Sequence, residues 1–427
     1  MTFTASCNAY LKNLQQTSAN PEATSELSLR PHLDVLLQDA IALFAPGLQA
    51  VGEARANEWG RPDYVLTQNG LPVGYVEAEK PSADLRHLSG HAKEQNQRFA
   101  ANLDRFLLTN HYHFQLFENG ECVAEAHLPQ SASRVSAAQT QPLEDLLERF
   151  LQSEPLSVAT AKELALHLAR RTRQMAFQAE LSLQDENSSL QNDLIAFREV
   201  LLPDLPADEF ADLYAQTIAY GLFAARCEFH GAKSTFTRMA AAEAVPKTNP
   251  FLRAMFQRLG VFDLEPAIQW IIDDMTAVLA NADMANVLED FQKQSGREDP
   301  VVHFYETFLA AYDPALREVR GVYYTPEPVV SYIVRSVHLL LQSHFGFDTG
   351  LAHEKALILD PATGTGSFLF ETVRQIEQQV RRQAGASAWK SYVKDHLLGR
   401  LFGFELLAAP YAVAHLKLAL QLENSGY

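Results

Sequence analysis

The chain has 427 residues, a formal net charge of −17 and 47% hydrophobic residues. This length predicts two or three domains with real cores, and the acidic balance excludes a protein that binds nucleic acid mainly through bulk positive charge. The three cysteines stand far apart, and no apolar run reaches the roughly 18 residues that a membrane-spanning helix needs. Because the N-terminus also lacks a signal-peptide pattern, we expect a cytoplasmic protein with no membrane partner. The cysteines form no CxxC pair, so their spacing indicates neither a disulfide framework nor a zinc site.

Three regions of different texture follow one another along the chain. Residues 1–150 mix helical periodicity with five strand-like segments, which are "DYVLT", "VGYVEAE", "FLLTN", "FQLFENG" and "CVAEAHL". Residues 151–315 have helical periodicity nearly throughout, and in residues 316–427 helix and strand alternate, which is typical of a parallel sheet. We therefore predict a multidomain α/β protein with domain boundaries near 150 and 315.

A predicted hairpin in the first region carries a group of acids. In "RPDYVLTQNGLPVGYVEAEKP", Asp63 begins one strand, while Glu77 and Glu79 lie two positions apart on the next. Strand side chains alternate between faces, so Glu77 and Glu79 point the same way, and Asp63 can meet them across the hairpin. Converging carboxylates are costly unless a cation lies between them, and oxygen ligands of this kind suit Mg²⁺. Exposed acids on an ordinary hairpin are the alternative.

The same residues resemble the PD-(D/E)xK nuclease core, and the resemblance covers about 60 residues. The following stretch, "EQNQRFAANLDRFLLTNHYHFQLFENGE", is similar to the segment after that core in restriction–modification nucleases. The resemblance implies a nuclease-like domain over residues 1–150, with Mg²⁺ held by Asp63 and Glu77. It places Gln95 in the family's glutamine role and Phe99 where tyrosine is usual.

One position departs from the nuclease pattern. The family's lysine, which is thought to orient the attacking water, falls on Glu79, and Lys80 comes one place late. Some family members carry glutamate there and cut DNA. Glu79 is therefore predicted to be either a third metal ligand or the water-orienting group, and an inactive nuclease fold stays open as the alternative.

The third region contains a glycine turn between a strand and a helix. In "ALILDPATGTGSFLF", a short apolar strand ends at Asp360, and Gly364 and Gly366 let a ligand approach the backbone at the start of a helix. A second strand, "RLFGFE", ends at Glu405, which can accept hydrogen bonds from ribose hydroxyls. This arrangement predicts a nucleotide-type site.

"DPATGTGSF" resembles motif I of the N6-adenine DNA methyltransferases. "GVYYTP" is similar to their motif X, which precedes motif I in this class, and "LFGFELLAAPYAVAHLKLAL" is similar to motif II. The resemblance implies S-adenosylmethionine as cofactor. The residues that it places around the cofactor are Thr325, Pro326, Asp360, Ala362, Gly364, Gly366, Phe368 and Glu405.

The catalytic loop of that family, (N/D)PP(Y/F), does not occur in the sequence. This loop hydrogen-bonds the amino group of a flipped adenine and stacks on its ring. The sequence also reaches Tyr427 with no target-recognition region, so we expect the N-terminal part of a longer protein. The helical middle is similar to the coupler of single-chain restriction–modification enzymes.

Three functions therefore remain open at this point. The first is a restriction–modification enzyme that cuts double-stranded DNA with Mg²⁺ and methylates adenine with S-adenosylmethionine, although this chain alone is not expected to methylate. The second is a non-catalytic binding protein or regulator. The third is a methyltransferase for another substrate with a decayed nuclease domain. Local DNA contacts would fall in the basic segments 86–98 and 169–173, which are otherwise solvated helix faces.

Overall fold

A computed structural model gives the fold of the protein. The ranges that it describes are 2–19, 28–52, 61–68, 71–132, 134–152, 158–200, 203–229, 236–244, 264–295, 300–313, 325–405 and 408–427. These ranges form two compact units that are interleaved along the chain. The first unit comprises residues 1–158, 173–178 and 265–281, and the second comprises the rest.

The first unit contains a six-stranded sheet and the helices that cover it. Its strands are β1 (Leu48–Gly52), β2 (Tyr64–Gln68), β3 (Leu71–Ala78), β4 (Arg105–Thr109), β5 (His113–Glu118) and β6 (Glu121–His127). Its helices are α1 (Phe3–Ser18), α2 (Arg30–Phe44), α3 (Gly90–Asn102), α4 (Ala137–Leu151) and α9 (Pro266–Asn281). The five strand-like segments of the sequence are therefore all strands.

The strands of this sheet are ordered β1-β2-β3-β4-β5-β6. All neighbours are antiparallel except β3 and β4, which run parallel with α3 as the connection between them. The predicted hairpin is present: Tyr64 of β2 pairs with Val76 of β3. Because Asp63 precedes Tyr64 and Glu77 follows Val76, the hairpin register brings these two acids to the same end of the strand pair.

The two faces of the sheet have different roles. Ala78, Leu107, Phe114 and Ala126 project from one face into the main hydrophobic core, which α1, α2 and α4 complete. Residues one position further along each strand project from the opposite face. There Phe99 of α3 packs on Phe106 with ring centroids 5.6 Å apart, and α9 packs on β3. Both acids of the predicted metal site lie on this second face.

Helices make up most of the second unit. In chain order they are α5 (Ala161–Ser182), whose residues 173–178 belong to the first unit, α6 (Ser189–Val200), α7 (Ala207–Glu228), α8 (Arg238–Ala244), α10 (Met284–Ser295), α11 (Pro300–Tyr312), α12 (Glu327–Phe345), α13 (Ser367–Ala384), α14 (Ala388–Tyr392) and α15 (Ala408–Asn424). A capping box starts α5, because the Thr160 side chain accepts from Glu163 N–H while the Glu163 carboxylate accepts from Thr160 N–H. Stacked aromatic rings link α7 to α11, with the centroids of Phe223 and Phe304 3.8 Å apart.

Two short parallel strands, β7 (Ile358–Asp360) and β8 (Leu401–Gly403), follow in the second unit. Asp360 pairs with Gly403, so both strands end at the same edge. Their core includes Val373, Ile376 and Trp389. The two strands leave large apolar side chains exposed, among them Leu359 at 54% and Phe402 at 48%. A pair of strands does not cover its own apolar surface, because each face needs a packed layer.

The start of α12 directly follows the motif X segment. The helix begins at Glu327, and Pro326 occupies the capping position without a side-chain cap. Proline cannot donate a backbone hydrogen bond and tolerates the extended conformation seen there. Residues 321–324 of the motif X segment lie outside the described residues.

The borders of the two units also differ from the predicted division into three consecutive domains. The first unit runs unbroken to residue 158, near the predicted border at 150, but α9 later returns to its sheet. Tyr75 of β3 donates a hydrogen bond to Asp274 of α9 at 2.5 Å, which ties this helix to the sheet. In the described part of the chain, no helix is long and apolar enough to cross a bilayer.

Candidate functional site

Asp63 and Glu77 form the centre of the first candidate site. The backbone N–H of Asp63 donates to Glu77 Oε2 at 3.1 Å, and Asp63 Oδ2 accepts from the N–H of Ala78 at 2.8 Å. These reciprocal bonds follow from the hairpin register. Asp63 is 2% exposed and Glu77 is 8% exposed, so two acids lie together away from water.

The protonation of Glu77 reflects this environment. Burial raises the pKa of Glu77 well above its ordinary value, and the neighbouring Asp63 carboxylate raises it further. Opposing these causes, the hydrogen bond from the Asp63 backbone lowers the pKa. A buried acid beside another acid is the environment in which a bound cation is most favourable, because the cation offsets the repulsion.

Gln95 and Glu79, the other two predicted residues of this site, make different contacts. Gln95 of α3 donates to Glu77 Oε1 at 3.1 Å, so the predicted glutamine contacts the acid pair. Glu79 instead accepts from Asn96 Nδ2 at 2.6 Å. Within the described ranges, Asp63, Glu77 and Glu79 do not all bring an oxygen within 4.8 Å of one another. The structure therefore groups Asp63, Glu77 and Gln95. Glu79 is bound by Asn96, the residue of α3 that follows Gln95.

Two residues of this site escaped the sequence analysis. Arg30 of α2 forms an ion pair with Asp63, with Arg30 Nη2 2.5 Å from Asp63 Oδ1, and Asn96 holds Glu79. Arg30 is distant in sequence from the hairpin and carries no local signal. Asn96 follows Gln95 directly in the sequence. Its position beside the predicted glutamine is the signal that could have identified it.

The remaining sequence candidates of the first unit lie elsewhere. Lys80, the late lysine, is exposed beyond the end of β3. The basic segments are not continuous solvated faces: Arg86 is paired with Glu125, Arg171 is 2% exposed, and Arg173 donates to Asn102 at 3.2 Å. Much of the positive charge predicted there is therefore engaged within the protein.

The glycine turn after β7 forms the second candidate site. Gly364 and Gly366 have positive φ values of 55° and 82°, which favour glycine. In the described part of the chain, no atom outside the adjoining residues lies within 4 Å of the position that a Cβ on Gly364 would occupy, whereas a Cβ on Gly366 would lie 3.1 Å from Ala414 Cβ. Gly364 therefore leaves space for a ligand, while Gly366 allows the turn to pack on α15.

The acids at the ends of β7 and β8 meet at this turn. Glu405 Oε2 accepts a hydrogen bond from the N–H of Gly364 at 2.7 Å, and Asp360 Oδ1 accepts from Ala362 N–H at 3.2 Å. Burial raises the pKa of Asp360; the hydrogen bond from Ala362 opposes this shift, and Glu405 adds to it. Among the described residues, none hydrogen-bonds to Asp360 Oδ2, which is buried.

These features fit S-adenosylmethionine. A buried acceptor oxygen on Asp360, an open cradle at Gly364 and an acid at Glu405 suit a ligand with hydroxyl and amine donors beside a backbone turn. Glu327 Oε1 lies 3.7 Å from Arg374 Nη2, which places the start of α12 beside the first turns of α13. Thr325 and Pro326 immediately precede Glu327. Phe368, in the first turn of α13, packs partly against the core.

Comparison with known proteins supports this assignment for the C-terminal part. Residues 296–425 match the family model described as N-6 DNA Methylase. No curated protein matches the chain.

The chain is also similar to solved structures of larger proteins. One is the cryoEM structure of a DrdV–DNA complex, with 22% identity, a TM-score of 0.39, and coverage of 98% of this chain and 38% of that chain. The ATP-dependent Type ISP restriction-modification enzyme LlaBIII bound to DNA shows 19% identity and a TM-score of 0.39, covering 67% and 18%. The type IIG restriction endonuclease BpuSI shows 11% identity and a TM-score of 0.24, covering 92% and 40%.

The present chain thus spans well under half the length of each of these solved chains. The family match contains the glycine turn, Glu405 and all of α15. Residues 296–425 of this chain thus match the N-6 DNA Methylase family, which confirms the resemblance drawn from motif I and its neighbours.

Proposed function

We propose that this chain serves DNA restriction and modification, with a Mg²⁺-dependent nuclease site in its first unit and an S-adenosylmethionine site in its second. The observation that carries the proposal is the turn from Asp360 to Gly366, closed by Glu405 inside the N-6 DNA methylase segment. The buried pair of Asp63 and Glu77, held by Gln95, adds the nuclease part.

Each residue of the nuclease site has a distinct proposed role. Asp63 and Glu77 would hold Mg²⁺, which keeps most of its waters when one or two carboxylates bind it. Mg²⁺ bound there supplies an activated water and offsets charge on the phosphate. Gln95 fixes the Glu77 carboxylate. The hydrogen bond from Asn96 holds Glu79 apart from the pair, which favours Glu79 as the group that orients water over Glu79 as a third ligand.

In the methylase domain, Gly364 lets the cofactor approach the backbone, and Glu405 accepts hydrogen bonds from its ribose hydroxyls. S-adenosylmethionine supplies the methyl group. Because (N/D)PP(Y/F) does not occur in this sequence, the 427-residue chain is expected to bind the cofactor without methylating adenine. Double-stranded DNA is the proposed substrate of the nuclease, and adenine N6 is the proposed target of the complete modification reaction.

Two assays on the 427-residue chain test the two halves separately. The first measures Mg²⁺-dependent nicking of supercoiled plasmid DNA by the parent chain, by Glu77→Ala and by Glu121→Ala, an exposed acid on β6. Nicking that Glu77→Ala abolishes and Glu121→Ala spares supports the nuclease site, and nicking unchanged in Glu77→Ala rejects it. The second measures S-adenosylmethionine binding by calorimetry, and absence of binding rejects the cofactor site.

A non-catalytic binding role is the second candidate, and a specific observation favours it. Arg30 forms an ion pair with Asp63, and Asn96 donates a hydrogen bond to Glu79. Asp63 and Glu79 therefore each have a partner within the protein that is not a metal. Cofactor binding without any Mg²⁺-dependent nicking would select this role.

A further inference from the structure

A second group of metal-binding side chains lies on the sheet, apart from the acid pair. His113 begins β5, and Glu125 and His127 end β6. Each offers one ligand atom, and these three atoms all lie within 4.8 Å of one another. The register explains the grouping: His113 pairs with His127, and Gln115 pairs with Glu125, so all three side chains project from the same face.

The His113 ring provides an independent indication of a ligand. His113 is 8% exposed, and its Nε2 atom is buried with no hydrogen-bond partner anywhere in the described part of the chain. Glu125 Oε2 lies 3.7 Å from Nε2, beyond hydrogen-bond length. A buried polar atom without a partner is unfavourable, and a cation bound between Nε2 and the carboxylate would provide the missing interaction.

The other two side chains lie beside this unpartnered atom. The His127 ring stacks on the His113 ring with centroids 4.0 Å apart and planes 19° apart. The Glu125 carboxylate is held from behind, because Gln115 Nε2 donates to Oε1 at 2.8 Å and Arg86 donates to Oε2. A carboxylate has about four lone-pair positions, so these bonds leave capacity for a metal. Hydrogen bonds of this kind orient ligating carboxylates in metal sites.

Space adjoins the two rings. A cavity of about 270 Å³ is lined by His113 and His127 together with Asp84 and Asn110. Three protein ligands leave one position of a tetrahedral metal open, and a polar cavity beside the rings can hold the water or ligand that completes it.

We propose that His113, Glu125 and His127 bind a divalent transition metal of the Zn²⁺ class. Two imidazoles and one carboxylate form a ligand set that suits Zn²⁺, whereas the all-oxygen pair of Asp63 and Glu77 suits Mg²⁺. The spacing of the cysteines gave no reason to expect zinc, but a site built from histidine and glutamate needs no cysteine. In the described sheet β6 is the edge strand, so the metal would join the end of this edge to β5.

Metal titration of the complete 427-residue chain, prepared without a histidine tag and stripped with a chelator, tests the proposal. Zn²⁺ binding is followed by calorimetry and Co²⁺ binding by its visible absorption bands, both in excess Mg²⁺. We expect one tightly bound ion per chain. Glu125→Gln and His127→Ala should each weaken binding by at least about tenfold, the scale that loss of even an outer-shell partner reaches.

Matched controls separate this site from other possibilities. His91→Ala removes an exposed histidine of α3 and should bind Zn²⁺ like the parent chain. Glu125→Gln preserves side-chain volume at an exposed position, so its circular dichroism should match the parent. Failure of the parent chain to bind, or parent-like binding by folded Glu125→Gln, overturns the proposal. Neither result depends on whether the chain cuts DNA.

Discussion

Arg30 on α2 and Asp63 at the start of β2 form a buried ion pair, with 2.5 Å between Arg30 Nη2 and Asp63 Oδ1. The Arg30 side chain is 13% exposed and that of Asp63 is 0% exposed. The guanidinium therefore supplies positive charge at the acid pair where the proposed Mg²⁺ would supply it. The Arg30 charge also lowers the pKa of Glu77, although burial and Asp63 outweigh it.

Replacing Arg30 tests this relationship. Arg30→Met leaves Asp63 buried beside Glu77 without its cation, and removing one partner of a buried pair costs about 3–5 kcal/mol. Urea denaturation in the absence of divalent ions should show this loss, and added Mg²⁺ should restore more stability to Arg30→Met than to the parent chain. Arg149→Met, which removes an exposed partner of Glu118, should change unfolding far less. Equal Mg²⁺ effects on the parent and Arg30→Met would contradict the idea that arginine and metal serve the same acids.

The pKa of Glu77 predicts a pH dependence with a definite sign. Because burial raises this pKa, the folded chain keeps the Glu77 proton at pH values where the unfolded chain has lost it. Stability without metal should therefore decline as pH rises from the ordinary value of 4.5 through the folded pKa.

Metal binding at Glu77 should reverse that protonation. Mg²⁺ requires the carboxylate, so binding should release protons and strengthen as pH rises. Calorimetry in two buffers of different ionisation enthalpy measures the release. Glu77→Gln should show neither the proton release nor the pH-dependent decline, and a parent chain that binds Mg²⁺ without releasing protons would exclude Glu77 as a protonated ligand.

Glu405 provides a test of the cofactor site. Glu405→Ala removes the carboxylate at Gly364, and hydrogen bonds to charged groups contribute about 1.5–3 kcal/mol. We expect S-adenosylmethionine affinity to fall by about 10- to 100-fold. Glu423→Ala alters an exposed acid near the end of α15 and serves as the control in the same calorimetric titration. Parent-like affinity in Glu405→Ala would remove Glu405 from the site.

Arg400, directly before β8, binds the backbone of residues 351–356, which precede β7. Its guanidinium is buried and donates to the carbonyl groups of His353 at 2.8 Å and Ala356 at 2.7 Å, with further contacts to Leu351 and Ala352. Arg400→Met takes the donor from the carbonyls of Leu351 and Ala356, whereas those of His353 and Ala352 still accept from Ala356 N–H and the Tyr392 hydroxyl. Each carbonyl that loses its partner costs about 1–3 kcal/mol. Urea denaturation followed by tryptophan fluorescence should show a loss of about 3 kcal/mol or more. Arg382→Met, at an exposed position, should unfold like the parent, and a similar loss there would argue against the carbonyl cluster as the cause.

The sequence by itself determined the elements of both candidate sites. Alternation of apolar residues predicted β2 and β3, and the position of Asp63 and Glu77 on them predicted that the two acids meet. Asp360, Gly364 and Gly366 identified a glycine turn between strand and helix because positive φ angles and backbone approach require glycine there. These signals are local, and the chain folds locally as they indicate.

Only the tertiary structure decided which distant groups complete those sites. Arg30 reaches Asp63 from another helix, and α9 returns to the sheet through Asp274 after a long helical stretch. His113 and His127 became neighbours because an antiparallel register pairs β5 with β6. Contacts of this kind depend on how the elements pack. Their free energy comes from burial and from charge interactions between segments far apart in the chain. The periodicity or spacing within one segment therefore does not predict them.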